Sequence, residues 1–322
     1  TKPRPTKEYT FKGPFPYENR MGIKNAQFPL TIDPIRGWGL KANFAIFDQL
    51  ENHKIYGEFF AFLQPRNHSA ALEYQFLEGR KDIKLCYERN SIFVETFPGE
   101  NLPPDNYIFN RVGAALSYPF SNYFNVSAMP FGATTRFTRT GTPAGTAAPD
   151  INNIYAGLKL EANFDNSLSS GLNLLEGTRG KIFFEAYRNL ANRMLNFQQF
   201  AVDVRNYQRL HKEVTFASRL AGGTFWGPAR KFYSVGGMNN WLFQRMDRSN
   251  NPQDPFGNAA RADFTNGRTD WLFNRFATGL RGFNQNAIYG NSYFIINNEL
   301  RIPITRYLYK GPVSSNFLKN LQ

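Results

Sequence analysis

From residue 37 to residue 303, apolar and polar side chains keep exchanging places at every second position. In residues 72–77, LEYQFL, Leu72, Tyr74 and Phe76 fall on one face and Glu73 and Gln75 on the other, a period of two that only a strand satisfies. The register recurs in IKLCYE, where Ile83, Leu85 and Tyr87 oppose Lys84, Cys86 and Glu88, and in LKLEANF, where Leu158, Leu160, Ala162 and Phe164 oppose Lys159, Glu161 and Asn163. In FAVDVRNY, Phe200, Val202 and Val204 oppose Asp203 and Arg205; in FIINNELRI, Phe294, Ile296, Leu300 and Ile302 oppose Asn297, Glu299 and Arg301. One face is apolar throughout and the other carries both signs of charge.

Segments of this kind predict eleven strands, at residues 37–48, 53–63, 69–77, 82–94, 107–118, 123–138, 153–165, 179–189, 197–208, 214–226 and 291–303. Strands of soluble sandwiches average about five or six residues, whereas roughly 9 to 11 tilted residues cross a bilayer. The predicted strands have the longer size. Alternation alone also fits a soluble β-sandwich or propeller, whose apolar face meets a second sheet. Helical periodicity is weak, since Gly, Asn and β-branched or aromatic residues break most candidate windows.

The connections alternate as well. Tight ones at DQLENH, LEGRKD, YPFSNY and YQRLHKE trade places with long ones such as ETFPGENLPPDN and TRTGTPAGTAAPDINN, the arrangement of a transmembrane barrel with turns on one side and loops on the other. The segment NSLSSGLNLLEGTRG is too long for the tight turn its place requires. The longest connection, about 65 residues from Gly227 to Asn291, has the length of a functional loop. Residues 1–35 hold six prolines and little periodicity; they read as an extended N-terminal linker or first strand, ahead of a barrel domain over residues 36–322.

Composition sharpens the picture at a few points. Aromatics reach 16%, with 32 Phe and 16 Tyr against 5 Met, which suits pleated surfaces. The mean hydropathy of -0.48 and the lack of an apolar run of membrane-helix length would suggest a soluble chain, but lipid-facing and lumen-facing positions of a barrel average to the same value. The net charge of +13 is spread without a basic cluster or recognition-helix pattern, so nucleic acid is not an expected partner.

Cys86 is the single cysteine, and His53, His68 and His211 lie far apart and read as loop or turn residues, His53 and His211 at apparent turns, so neither an intrachain disulfide nor a metal site is expected. No nucleophile elbow, Cys-His pairing or phosphate loop is present, so the chain does not read as an enzyme and no cofactor is expected. A Ser-His arrangement assembled only in three dimensions stays open at this level.

The segment TFASRLAGGTFWGPARKFYSVGGMNNWL, then LRGF, then NSYFIINNELRIPI, resembles in order the C-terminal barrel of the outer-membrane assembly superfamily, the BamA-like insertases and their transporter relatives. Phe232, Tyr233, Gly236 and Gly237 stand in the place of that family's loop approach, and Leu280, Arg281, Gly282 and Phe283 in that of its lumen latch motif. The resemblance implies an all-β, transmembrane antiparallel barrel of about sixteen strands, with about eleven or twelve in this chain, and a long extracellular loop folding into the lumen. It places the chain in the bacterial outer membrane, in contact with outer-membrane lipids. About four further strands are expected past Gln322.

Arginine suits a latch, because its rigid fork matches lumen carboxylates bidentately where lysine offers a point charge. Gly282 permits a sharp turn or close approach, and Phe283 supplies an apolar plug. By family analogy the acidic partner of Arg281 lies on the following strand, where Glu299 is the visible candidate. Trp226 and Trp241 read either as membrane-interface aromatics or as plug residues.

Some forty residues between Gly237 and Arg281 enlarge the loop beyond the usual insertase pattern. With DQLENHKIYG and GGMNNWLF they resemble a branch whose barrel follows a periplasmic β-propeller. Two functions follow from the resemblance. One is insertion, assembly or translocation of unfolded outer-membrane protein clients; the other is an accessory barrel subunit that anchors partners in a larger envelope complex. A passive pore is disfavoured by the inward loop.

Overall fold

The computed structural model describes residues 13, 20–33, 37–62, 67–94, 105–139, 150–171, 174–211, 214–238, 270–277, 279–280 and 282–302. The chain begins its sheet with β1 (Gly22–Gln27), β2 (Leu30–Asp33), β3 (Gly37–Phe47), β4 (His53–Phe62), β5 (His68–Phe76) and β6 (Asp82–Val94). It continues with β7 (Asp105–Pro119), β8 (Phe124–Arg139), β9 (Ile151–Asp165), β10 (Leu168–Gly171), β11 (Leu174–Asn189), β12 (Phe197–His211) and β13 (Val214–Trp226). After the long loop, which holds β14 (Tyr233–Val235), β15 (Arg275–Ala277) and β16 (Ile288–Gly290), comes β17 (Ser292–Arg301).

The wall runs in the order β1-β3-β4-β5-β6-β7-β8-β9-β11-β12-β13-β17, every neighbour antiparallel to the next. Each of the eleven spans expected from the alternation is a strand of this wall, with ends shifted by a few residues. The largest shift is at β11, which starts at Leu174 because β10 folds back on it as a short hairpin that fills the overlong turn. A twelfth wall strand lies within residues 1–35 and is interrupted. Both β1 and β2 pair with β3, and between them Pro29, which has no N–H to give a ladder, uses its carbonyl to accept from Lys41 N at 3.0 Å.

The two faces of the wall differ as the alternation requires. One carries Val112, Phe294, Ile296 and Leu300, each more than half exposed, as lipid-facing positions must be. Register fixes the opposite face, where Lys41 pairs with Glu58 at 2.8 Å and Glu161 takes both Lys159 and Lys181 at 2.9 Å. This charged face lines the lumen. At the short-turn rim Tyr118, Phe120 and Phe124 form a chain of rings with centroids 5.1 and 5.8 Å apart, the aromatic belt expected where a barrel meets a membrane boundary.

The histidines correct one expectation. His53 opens β4, His68 opens β5 and His211 closes β12, so all three stand at strand ends rather than in turns, where cross-strand partners can hold the ring. His53 Nδ1, for example, lies 2.7 Å from the Tyr74 hydroxyl. Trp226 projects outward from β13 against Phe184, with ring centroids 5.9 Å apart, and is therefore a boundary aromatic; Trp241 lies outside the described residues.

Candidate functional site in the lumen

The connection between β13 and β17 turns back onto the charged face. Its three short strands form a separate sheet in which β15 runs parallel and β16 antiparallel to β14. Every residue of β14 is buried, Ser234 completely. Three residues per strand are too few to hold a sheet alone, so the wall must supply the rest.

It does so through rings. Phe273, 4% exposed, enters the sheet's inner face with centroids 5.6 Å from Phe109, 5.7 Å from Tyr155, 5.2 Å from Tyr187 and 4.9 Å from Phe197. The interplanar angles run from 66° to 80°, the edge-to-face geometry that the ring quadrupole favours. Tyr233 fills the next position, 4.6 Å from Phe225 and 4.5 Å from Tyr293, and its hydroxyl accepts from Gln199 Nε2 at 2.8 Å. That approach requires Gly223 on the wall: a Cβ there would stand 2.6 Å from the Tyr233 hydroxyl oxygen. Lys231, 3% exposed, lays its ammonium 5.0 Å from the Phe197 ring and 5.3 Å from that of Phe273.

Beside the rings lies a charged chain. Glu185 is 1% exposed and its Oε1 accepts from Arg111 Nη1 at 2.8 Å and from the Tyr187 hydroxyl at 3.3 Å. Arg111 donates its other end to Glu88 Oε2 at 2.6 Å, while Arg275 of the loop donates to Glu185 Oε2 at 3.5 Å. Wall and loop thus share one buried carboxylate. Two guanidiniums face this enclosed carboxylate, as the cost of burying a charge requires.

Further down, Asn297 Nδ2 donates to Gly279 O at 2.8 Å, and Gly279 N donates to Gly237 O at 3.0 Å. Below this contact is a cavity of about 360 Å³ lined by Arg205, Arg219, Asn297, Glu299 and Arg301. Asp203 accepts there from Arg205 at 2.9 and 3.1 Å and from Arg219 at 2.7 and 3.0 Å.

The residues expected from the sequence fall around this junction unevenly. Tyr233 is buried in it, and the Phe232 carbonyl accepts from Arg275 N at 3.2 Å. Gly236 and Gly237 follow; Gly237, with φ of 70°, packs so closely on Gln285 that a Cβ would lie 2.5 Å from its amide. Leu280 bridges to Gly237 and packs on the buried cluster. Arg281 lies outside the described residues. Gly282 takes φ of 85° with open space around it, so the turn and not close packing uses its freedom. Phe283, expected as the apolar plug, is 56% exposed beyond that turn, and Phe273 fills the junction instead. Glu299 accepts from Arg301 at 3.1 and 3.3 Å.

Sequence reasoning passed over Phe273, Arg275, Glu185, Arg111 and Gln199. The wall charges look like any other inward position of their strands, and Phe273 stands in the enlarged part of the loop, where no periodicity marks it. One signal was available: Gly222-Gly223 inside β13, since a glycine in mid-strand marks a close approach.

No family model matches the chain, and no curated protein does. Among solved structures the chain is similar to BamA from Haemophilus ducreyi lacking POTRA domains 1-3, with a TM-score of 0.51 and 11% sequence identity. The fold is BamA-like. The similarity covers 72% of this chain and 46% of that one, so the chain spans under half the length of the structure it matches. At this identity the likeness is one of architecture. A BamA-like wall of antiparallel strands with one apolar and one charged face is an outer-membrane-type barrel wall, and among the described residues no helix is long and apolar enough to cross a membrane.

Proposed function

We propose that this protein acts in the insertion, assembly or translocation of outer-membrane proteins. The observation that carries the reading is the loop sheet held against the lumen face of a BamA-like wall by Phe273, Tyr233 and the Glu185–Arg275 contact. A loop held this way narrows the lumen, which disfavours a passive pore. Seated on the lumen face, it also leaves the edges of the wall open to unfolded clients by strand addition, which needs neither nucleotide nor cofactor.

A second reading, an accessory barrel anchoring partners in an envelope complex, draws support from the completeness of the same docking. Ser234 is fully buried and Tyr233 nearly so, as a permanent plug would require. Depletion of the full-length protein in its native cell, with quantitative recovery of other outer-membrane barrels, separates the two. Loss of many unrelated barrels is the expected outcome, and complementation with Arg275→Ala should restore them only in part. Loss of a single complex, with Arg275→Ala behaving as wild type, would reject the assembly role.

A further inference from the structure

The outward face carries a polar constellation that the lumen site does not use. On β6 Arg89 projects away from the lumen, in register with Asn110 of β7, which is in register with Thr134 of β8. Arg89 Nε donates to His68 Nε2 at 3.1 Å and Nη1 to Asn110 Oδ1 at 3.0 Å, while Asn110 Nδ2 donates to Thr134 Oγ1 at 3.4 Å. No carboxylate reaches Arg89 among the described residues. On β11 the exposed Arg188 is in register with Ala156 of β9 and has no partner among the described residues. Between them Arg136 donates from Nε to Asp150 at 3.0 Å.

The floor between these arginines is low. Ala156 is in register with Gly132, and Gly132 with Val112; a Cβ on Gly132 would meet nothing within 4 Å. Height follows from geometry. Asp82 opens β6 at a short turn and Arg89 stands seven positions further, which at about 3.4 Å per residue and a tilt near 40° is about 18 Å up the barrel axis, while Arg136, twelve positions past Phe124 on β8, is about 30 Å up. The apolar band of such barrels is about 25 Å tall. The strip therefore runs from the upper part of the apolar band at Arg89 to the headgroup boundary on the long-loop side.

An arginine facing the bilayer midplane is costly, and an ordinary one near the boundary extends freely into water. Arg89 does neither, because His68 and Asn110 hold its Nε and Nη1 against the wall. A fixed guanidinium without a carboxylate is arranged for a phosphate. We propose that the outward strip bounded by Arg89 and Arg188 is a headgroup-binding site for anionic phospholipids of the surrounding membrane, whose acyl chains lie on the low floor at Val112, Gly132 and Ala156. About 20 Å separates the two arginines across four strand spacings, so the strip accommodates more than one phosphate. The inference rests on this face meeting lipid and not on the assembly role.

The test is native mass spectrometry of the full-length protein in detergent, titrated with dioleoyl phosphatidylglycerol or dioleoyl phosphatidylcholine. Heat-modifiable gel mobility confirms that each variant is folded. Wild type should retain the anionic lipid over the zwitterionic one, and Arg89→Gln and Arg188→Gln should each reduce that preference about fivefold. Arg89→Lys should recover only part of it, because the charge returns without the fork. Lys81→Gln, which removes one charge in a short turn at the opposite rim, should leave it unchanged. Absence of a lipid preference in wild type, or an equal loss in Lys81→Gln, would overturn the proposal. So would inorganic phosphate binding as tightly as the lipid, since a soluble anion would then suffice.

Discussion

Glu185 and Arg275 join the barrel wall to its lumen loop through a carboxylate that Arg111 already holds from the other side, at 2.8 Å against 3.5 Å. The two guanidiniums are unequal partners. Arg111 is mostly enclosed, with 18% of its side chain exposed, while Arg275 is 47% exposed. Removing Glu185 by Glu185→Leu leaves Arg111 with Glu88 alone and should cost about 3 kcal/mol of barrel stability. Arg275→Ala should cost under about 1 kcal/mol and loosen only the loop. Urea unfolding of the detergent-solubilised barrel measures the first effect and protease access to the loop the second. Equal destabilisation by both variants would contradict this ranking.

Phe273 is the aromatic anchor of the loop, so Phe273→Ala should release it. The loss should be about 3 to 5 kcal/mol of docking free energy, read as deprotection of β14 and β15 amides in hydrogen exchange while the amides of β7, β11 and β12 stay protected. Phe283→Ala, at an exposed position, should change nothing in the same experiment. A reversed order would mean that the ring cluster is not what holds the loop.

Gly223 tests the close approach from the wall side. Gly223→Val places a side chain where the Tyr233 hydroxyl stands and should weaken docking by about 1 to 3 kcal/mol. Gly180→Ala is the control: its Cβ would meet Val204 Cγ2 at 3.5 Å, an ordinary contact. Proteolysis of the loop should accelerate in the first variant and not in the second.

Tyr233 predicts an alkaline limit. Burial pushes its phenol well above the ordinary value near 10, against an opposing effect of the Gln199 hydrogen bond. The neutral form is thus the docked one. A raised folded-state pKa gives stability that is complete below the free value and lost as pH rises past it. Docking should therefore be level between about pH 6 and 9 and weaken above about pH 10. An environment-sensitive dye at Phe283→Cys, in a Cys86→Ser background, reports this; Tyr233→Phe should abolish the alkaline step, and an unchanged step would assign it to another group.

The wall was legible because a membrane strand must satisfy two solvents at once, and the resulting alternation persists for ten or more residues in β6, β7, β8 and β12. Where a strand lacks that contrast the signal fails. β1 reads GIKNAQ and is exposed throughout, and Pro29 breaks it from β2, so the twelfth strand blended into a proline-rich segment. The loop posed a different problem. Its strands are three residues long, too short for any period. Phe273 acts through Phe109, Tyr155, Tyr187 and Phe197, rings on four separate wall strands that no local pattern ties to it. Lone charges such as Glu185 and Glu161 sit in the same inward register, and only the fold shows that Glu185 meets the loop while Glu161 is held by two wall lysines.

The packing of Phe273 has a consequence for the conditions in which the barrel can work. Its contacts are ring edges and ring faces, and the Glu185 carboxylate beside them is enclosed. Mobile ions screen charges that they can approach, over a Debye length of about 8 Å at physiological ionic strength; neither the rings nor this carboxylate is open to them, so only the weak Arg275 contact responds to salt. A cell passing from fresh to saline water should therefore keep its lumen loop seated.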